Sequence, residues 1–164
     1  MKIMFRGYYV IGLMVCLFLL SAAFFFQFVL GLEPCPLCVL TRLVVIALAG
    51  TYLIAILHNP NKFTQKLYSG VTILLAIAGL ATSARHVWIQ HLPPEKVPAC
   101  GPSFDYLVQT LPFTEAMEII LNGSGECAKV DWSFLGGSIP TWMLVVFSGL
   151  IFLNLLAMFK NNKG

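Results

Sequence analysis

From Tyr8 to Leu30 the chain carries no charged side chain, and only Ser21 and Gln27 are clearly polar. A helix of that length crosses the roughly 30 Å hydrocarbon layer of a bilayer, and helical folding is what satisfies its backbone there. Three similar stretches follow. The second covers 38–57, with Arg42 as its one charge and His58-Asn59-Pro60-Asn61 as the break after it. The third covers 67–86, apolar as far as Ala84, with Arg85 and His86 at its outer end. The fourth covers 140–159 and opens on Pro140, a residue suited to a first helical turn. With the first span over 8–30, the expectation is an all-α membrane protein: a four-transmembrane-helix bundle forming a single integral membrane domain over 1–164. The first stretch is longer than a signal-peptide core and lacks a small-x-small site after it, so it is read as a retained span.

Composition agrees. Of the residues, 59% are hydrophobic and 10% charged, against about 25% charged in ordinary soluble domains. A net charge of +3 with no basic cluster leaves nothing to engage a nucleic-acid backbone; the partner this surface suits is the lipid bilayer. Lys2 and Arg6, Lys62 and Lys66, and Lys160 and Lys163 all fall on one side of the four-span arrangement. The excess of positive charge marks that side, with both termini, as cytoplasmic. The outer side then holds a short loop, 31–37, and a long one, 88–139.

In the long loop Phe113, Met117, Ile120 and Leu121 recur at helical spacing, and Asn122-Gly123 is a reasonable stop, so a short amphipathic helix is expected. Trp132, Phe134 and Leu135 read as an interfacial segment on the lipid headgroups rather than as ligand contacts.

Five cysteines are present. Cys16 lies mid-span and reads as a small hydrophobe. The other four, Cys35, Cys38, Cys100 and Cys127, fall on the outer side, where disulfides persist. Cys35-Pro36-Leu37-Cys38 is a C-x-x-C pair pinned between two spans, a spacing that lets two sulfurs close a small ring and raises the reactivity of one of them. Cys38 falls at the start of the second helix, where the helix dipole favours a thiolate. Cys100 and Cys127 flank the amphipathic helix. Inert stabilising bridges are one reading of these pairs; a four-thiolate zinc site is another, disfavoured because the second pair is so widely spaced. No metal is expected.

Arg42 follows Cys38 by one helical turn and lies on the same face, deeper in the membrane. An intramembrane arginine costs a few kcal/mol unless it finds a partner, which makes it a functional candidate. It suits a thiolate or a carbonyl of a lipid-soluble oxidant, and His86, at matching depth, suits the same carbonyl or a proton relay. Two outer thiol pairs, one reaching soluble partners and one held at the membrane, suggest a relay by thiol–disulfide exchange.

These residues resemble the bacterial disulfide-bond formation protein B family, DsbB. The resemblance runs over nearly the whole chain: four spans, Pro34-Cys35-x-x-Cys38-x-x-x-Arg42, the His86 stretch with Gln90, Cys100-Gly101-Pro102, Gly123-Ser124-Gly125-Glu126-Cys127, Trp132-Ser133-Phe134-Leu135-Gly136, Pro140 and Trp142. It implies a quinone-dependent protein-disulfide oxidoreductase of the bacterial inner membrane, with its active cysteines in the periplasm. Cys35–Cys38 is then the quinone-proximal redox disulfide. Cys100–Cys127 is the loop disulfide that re-oxidises DsbA, a thioredoxin-like periplasmic thiol oxidase, through a transient mixed disulfide at Cys100. Arg42 and His86 become contacts of the cofactor, ubiquinone or menaquinone, drawn from the membrane quinone pool. Thr41 stands where some relatives carry an acid. A vitamin K epoxide reductase-like enzyme is the nearest alternative, but there the C-x-x-C falls late in the bundle. A non-enzymatic membrane protein with structural disulfides is the other.

Overall fold

The computed structural model describes residues 2–32, 34–58, 60–97, 106, 109–130 and 132–162. Four long helices dominate: α1 (Lys2–Phe28), α2 (Pro36–His58), α3 (Lys62–Gln90) and, at the C-terminal end, α6 (Ile139–Asn162). Between α3 and α6 come α4 (Phe113–Asn122), the one-turn α5 (Gly125–Ala128), and two short strands, β1 (Ser133–Phe134) and β2 (Gly137–Ser138). All four long helices are long and apolar enough to cross a membrane, over Arg6–Phe28, Pro36–His58, Lys62–Gln90 and Ile139–Phe159.

The helices run past the expected spans. The second begins at Pro36 rather than residue 38, because Pro36 fits the first turn and the Val39 N–H donates to the Cys35 carbonyl at 3.1 Å. The third takes in Lys62 and Lys66 and continues to Gln90, so the long loop starts at His91. Apolarity marks where hydrocarbon ends; the hydrogen-bond ladder ends only where a cap or turn stops it.

α3 packs most extensively on α6, and α2 bridges α1 and α3. Small residues allow the closest approaches: a Cβ on Gly79 would sit 2.3 Å from the Phe147 ring, and one on Gly12 would sit 2.7 Å from the Tyr52 ring. Around Tyr52 the half of the bundle away from Cys35 and Cys38, its inner half, closes over hydrogen bonds. Asn154 Nδ2 donates to Tyr52 Oη and to the Leu150 carbonyl, both at 2.7 Å, and Thr72 Oγ1 donates to Asn154 Oδ1 at 2.9 Å. Tyr9 Oη pairs with Ser69 Oγ at 2.8 Å, and its ring meets Tyr52 edge-on at 5.4 Å. Cys16 is buried in this core, in keeping with a packing role. Outward lie Phe18, Leu57, Phe63 and Leu74, the apolar surface a bilayer covers.

At the opposite end, where Cys35 and Cys38 lie and here called the outer half, a second, smaller apolar cluster joins Leu37 of α2, Ile89 of α3, Ala116 and Ile120 of α4, and Cys127 of α5. The expected amphipathic helix is present, but its buried face differs: Ala116 and Ile120 face inward, while Leu121 is exposed. Gly123, at φ +81, ends it by donating its N–H to the Ile119 and Ile120 carbonyls. Arg85 then takes the remaining carbonyls, with Nε on Leu121 O at 3.2 Å and Nη2 on Asn122 O at 3.3 Å. The segment after α5 is a hairpin, a small departure from an all-α fold: Ser133 pairs with Ser138 and Phe134 with Gly137 across a turn of Leu135 (φ 51) and Gly136 (φ 79). Positive φ at both central residues gives a turn whose twist matches paired strands.

Candidate functional site

Cys35 is the residue whose carbonyl opens the α2 ladder, and its sulfur serves as the cap. The Cys38 N–H donates to Cys35 Sγ at 3.4 Å, as a serine oxygen would at this position. The two sulfurs lie 3.0 Å apart. Cys16, Cys35, Cys38 and Cys127, the cysteines among the described residues, are unbridged.

Cys127 arrives from the far end of the sequence. Ala116 and Ile120 seat α4 on the tips of α2 and α3, Gly123 turns the chain, and α5 carries Cys127 into the apolar cluster. Its sulfur, Cys35 Sγ and a ring nitrogen of His86 all lie within 4.8 Å of one another. His86, on α3, is buried between the sulfurs: Nε2 is 3.8 Å from Cys35 Sγ and 3.1 Å from the Cys127 carbonyl, and Nδ1 is 4.0 Å from Cys38 Sγ. Contact with Cys35, then burial, push the Cys127 thiol well above its ordinary range. Such a thiol is a poor nucleophile until its proton leaves.

Beneath the sulfurs a cavity of about 840 Å³ opens between α1, α2, α3 and α6, with Cys35, Cys38, Arg42 and His86 in its wall. Arg42 reaches across to α1, where Nη1 donates to Gln27 Oε1 and Nη2 to the Ala23 carbonyl at 3.1 Å, while the guanidinium lies 6.0 Å from the Phe24 ring centre. The Thr41 hydroxyl is spent on the Leu37 carbonyl at 2.9 Å. Ser83, one turn below His86 in the same wall, is buried, and its hydroxyl has no partner among the described residues.

The aromatic segment also borders the cavity. Phe26, Trp132, Phe134 and Trp142 form a continuous row, with centroid separations of 5.2, 5.9 and 6.3 Å, and all four line the cavity. Trp142 Nε1 fixes the hairpin by donating to the Phe134 carbonyl at 3.1 Å, and Ser138 Oγ donates to Gln90 Oε1 at 2.7 Å. Leu135, 82% exposed at the hairpin tip, and Phe134, 53% exposed, also present apolar surface outward, as an interfacial segment would.

The structure thus brings Cys35, Cys38, Cys127 and His86 together, with Arg42 on the same cavity wall. Cys100 lies outside the described residues. Sequence reasoning did not anticipate Ser83, the aromatic wall or the seating of Cys127 beside Cys35. The first had only its helical spacing from His86 as a signal, and the last had none.

Residues 5–157 match the model of the family described as disulfide bond formation protein DsbB. Among curated relatives named disulfide bond formation protein B, that of Nitrosococcus oceani is 42% identical over 163 residues, 99% of this chain and 95% of the relative. That of Marinobacter nauticus is 47% identical over 147 residues, 90% and 88% of the two chains. That of Methylococcus capsulatus is 45% identical over 145 residues, 88% of each. A thiol cluster at one end of four membrane-length helices, a cavity below it and this breadth of similarity agree, and the chain belongs to the DsbB family.

Proposed function

We propose that this protein is a membrane thiol oxidase that re-oxidises a soluble, DsbA-like dithiol protein of the periplasm and passes the electrons to a membrane quinone. The observation that carries this reading is the position of Cys35, in contact with Cys38, close to Cys127 and in the wall of a membrane-level cavity.

The exchange sequence balances as follows. With both pairs oxidised, a donor thiolate attacks Cys100 Sγ, breaks the Cys100–Cys127 bond and releases Cys127 as a thiolate. The donor's second thiol displaces Cys100 from the mixed disulfide, so the donor leaves as a disulfide. Cys127 attacks Cys35 Sγ and expels Cys38 as a thiolate. Cys100 then displaces Cys35 from Cys127, which restores the loop disulfide and leaves Cys35 and Cys38 reduced. Two electrons have moved from the donor to the inner pair through disulfide exchange alone. The buried Cys127 thiol favours its protonated form, so the route works best when Cys127 is released as a thiolate directly beside Cys35.

The cavity residues fit a quinone. Its size is that of a small-molecule site and its wall is largely apolar, with a few polar groups at one end. Arg42, His86 and Ser83, whose hydroxyl has no partner among the described residues, are the groups that would hold carbonyl oxygens. The bound quinone supplies a two-electron, two-proton acceptor. Arg42 offers N–H donors toward a carbonyl, His86 holds or moves a proton between the Cys38 and Cys35 sulfurs, and the aromatic row excludes water. The lysine and arginine distribution favours both termini in the cytoplasm of a bacterial inner membrane, with the thiols on the periplasmic side.

The test is quinone reduction by the detergent-purified protein supplied with reduced DsbA, followed by ultraviolet absorbance with ubiquinone and with menaquinone. Loss of quinone that needs Cys35, Cys38, Cys100 and Cys127 is expected, and Cys100→Ser should lose all donor-dependent turnover. No reduction of either quinone by protein with intact disulfides would overturn the relay in favour of inert bridges.

A further inference from the structure

The sequence argues against a metal site made from the four outer cysteines. The fold assembles a different donor set. Cys35, from the start of α2, His86, from α3, and Cys127, from α5, place two sulfurs and one imidazole nitrogen within 4.8 Å of one another. Tetrahedral zinc, with bonds of about 2.3 Å to sulfur and 2.0–2.1 Å to nitrogen, requires its donors to stand somewhat under 4 Å apart. The separation of Cys35 Sγ from His86 Nε2, 3.8 Å, already meets that requirement.

The surroundings complete the case. On one side the apolar cluster of Leu37, Ile89, Ala116 and Ile120 excludes water. On the other, Cys35 and His86 border the cavity, so a fourth position stays open. The imidazole can present a free Nε2 lone pair if its proton sits on Nδ1, where Nδ1–H donates toward Cys38 Sγ, 4.0 Å away. A ligating histidine is ordinarily oriented by such a contact at its other nitrogen. Metal binding therefore moves the imidazole proton from Nε2, where it is donated to the Cys127 carbonyl at 3.1 Å, to Nδ1, and costs that one hydrogen bond.

We propose that the reduced protein binds one soft divalent cation, zinc or cadmium in class, through Cys35 Sγ, Cys127 Sγ and His86 Nε2, and that the ion blocks the thiol relay. Binding takes up one cation and releases two thiol protons, with no change in oxidation state. It needs free thiols, so the oxidised protein does not bind. The bound ion claims both sulfurs between which the relay passes electrons, so the loaded protein cannot turn over. The inhibitory half rests on the relay reading above; the binding half rests only on the geometry of the reduced cluster.

Both halves are measured on the full-length protein in detergent, reduced anaerobically, desalted and counted for free thiols. Zinc is titrated against a chromogenic chelator. One saturable equivalent is expected, absent from the oxidised protein, retained in Cys100→Ser, and weakened at least 100-fold in Cys127→Ser and in His86→Ala. Alkylation read by mass spectrometry gives a second measurement in unaltered protein: one zinc equivalent should slow modification of Cys35 and Cys127 more than tenfold and leave Cys100 at its free rate. Retention of the equivalent in Cys127→Ser, its loss in Cys100→Ser, protection of Cys100, or no saturable binding to protein with all thiols free would each overturn the site. Zinc-loaded protein freed of excess metal should show no turnover until a chelator is added. Unchanged turnover with zinc still bound would overturn the inhibitory half, whereas a metal-free protein without turnover would instead count against the relay itself.

Discussion

The inner and outer halves of the bundle use the same four helices to opposite ends. Inside, Asn154, Thr72 and Tyr52 satisfy one another, and Tyr9 and Ser69 close the arrangement from α1 and α3. No donor of the Asn154 amide is left over: one goes to Tyr52 and one to the Leu150 carbonyl. Outside, polar groups are held without being fully used. Ser83 has no partner among the described residues, His86 stands among three sulfurs, and the sulfurs are near one another but unbridged. Saturated polar contacts fix a structure, whereas unsaturated ones around a cavity are what a ligand or a reaction can use. The first arrangement belongs to stability and the second to chemistry.

That division is open to attack from either side. The largest effect is expected of Cys38→Ser: complete loss of quinone reduction, with no change in resistance to unfolding in mixed detergent and SDS. A matching fall in stability would blur the two halves. Next comes Arg42→Ala. Removing a charged hydrogen-bond donor costs about 1.5–3 kcal/mol, so the KM for quinone should rise about 10- to 100-fold, while exchange between DsbA and the loop pair continues; unaltered quinone kinetics would remove Arg42 from the site. The Cys127 thiol gives a third effect. Because its pKa is raised, the protonated form persists past the ordinary thiol range, and its alkylation rate in reduced protein should climb about tenfold per pH unit through and beyond about pH 8.5. A plateau near that pH would place Cys127 in water instead of in the cluster. Smallest is Asn154→Ala, expected to cost about 1–2 kcal/mol of bundle stability and to leave thiol exchange unchanged.

How much of this was legible in advance follows from the distance over which each feature is encoded. The spans are local, so hydropathy found all four and missed only their ends, which the Cys35 cap and the turn at His91 decide. Cys35, Cys38 and Arg42 share one helix face, and the period of the helix was enough to group them. The approach of Cys127 to Cys35 was not readable, because it depends on Ala116 and Ile120 finding Leu37 and Ile89 in space. Leu121 looked equal to Ile120 in an apolar face; the contacts of α4 with α2 and α3 separate the two. Arg85 was read only for its depth in the third span, yet it holds the end of α4. The hairpin was not read, because Leu-Gly is a poor advertisement for a hairpin turn beside Asn-Gly.

Leu135 has one more consequence. A leucine at φ 51 with its side chain 82% exposed is unfavourable twice in water, once for its backbone and once for its surface. Hydrocarbon removes the second of these costs, so the hairpin should be better formed in a bilayer than in a thin detergent shell. Since β1 carries Phe134 into the cavity wall, the lipid outside the protein becomes a participant in the shape of the pocket within, and membrane composition a variable in how well that pocket is made.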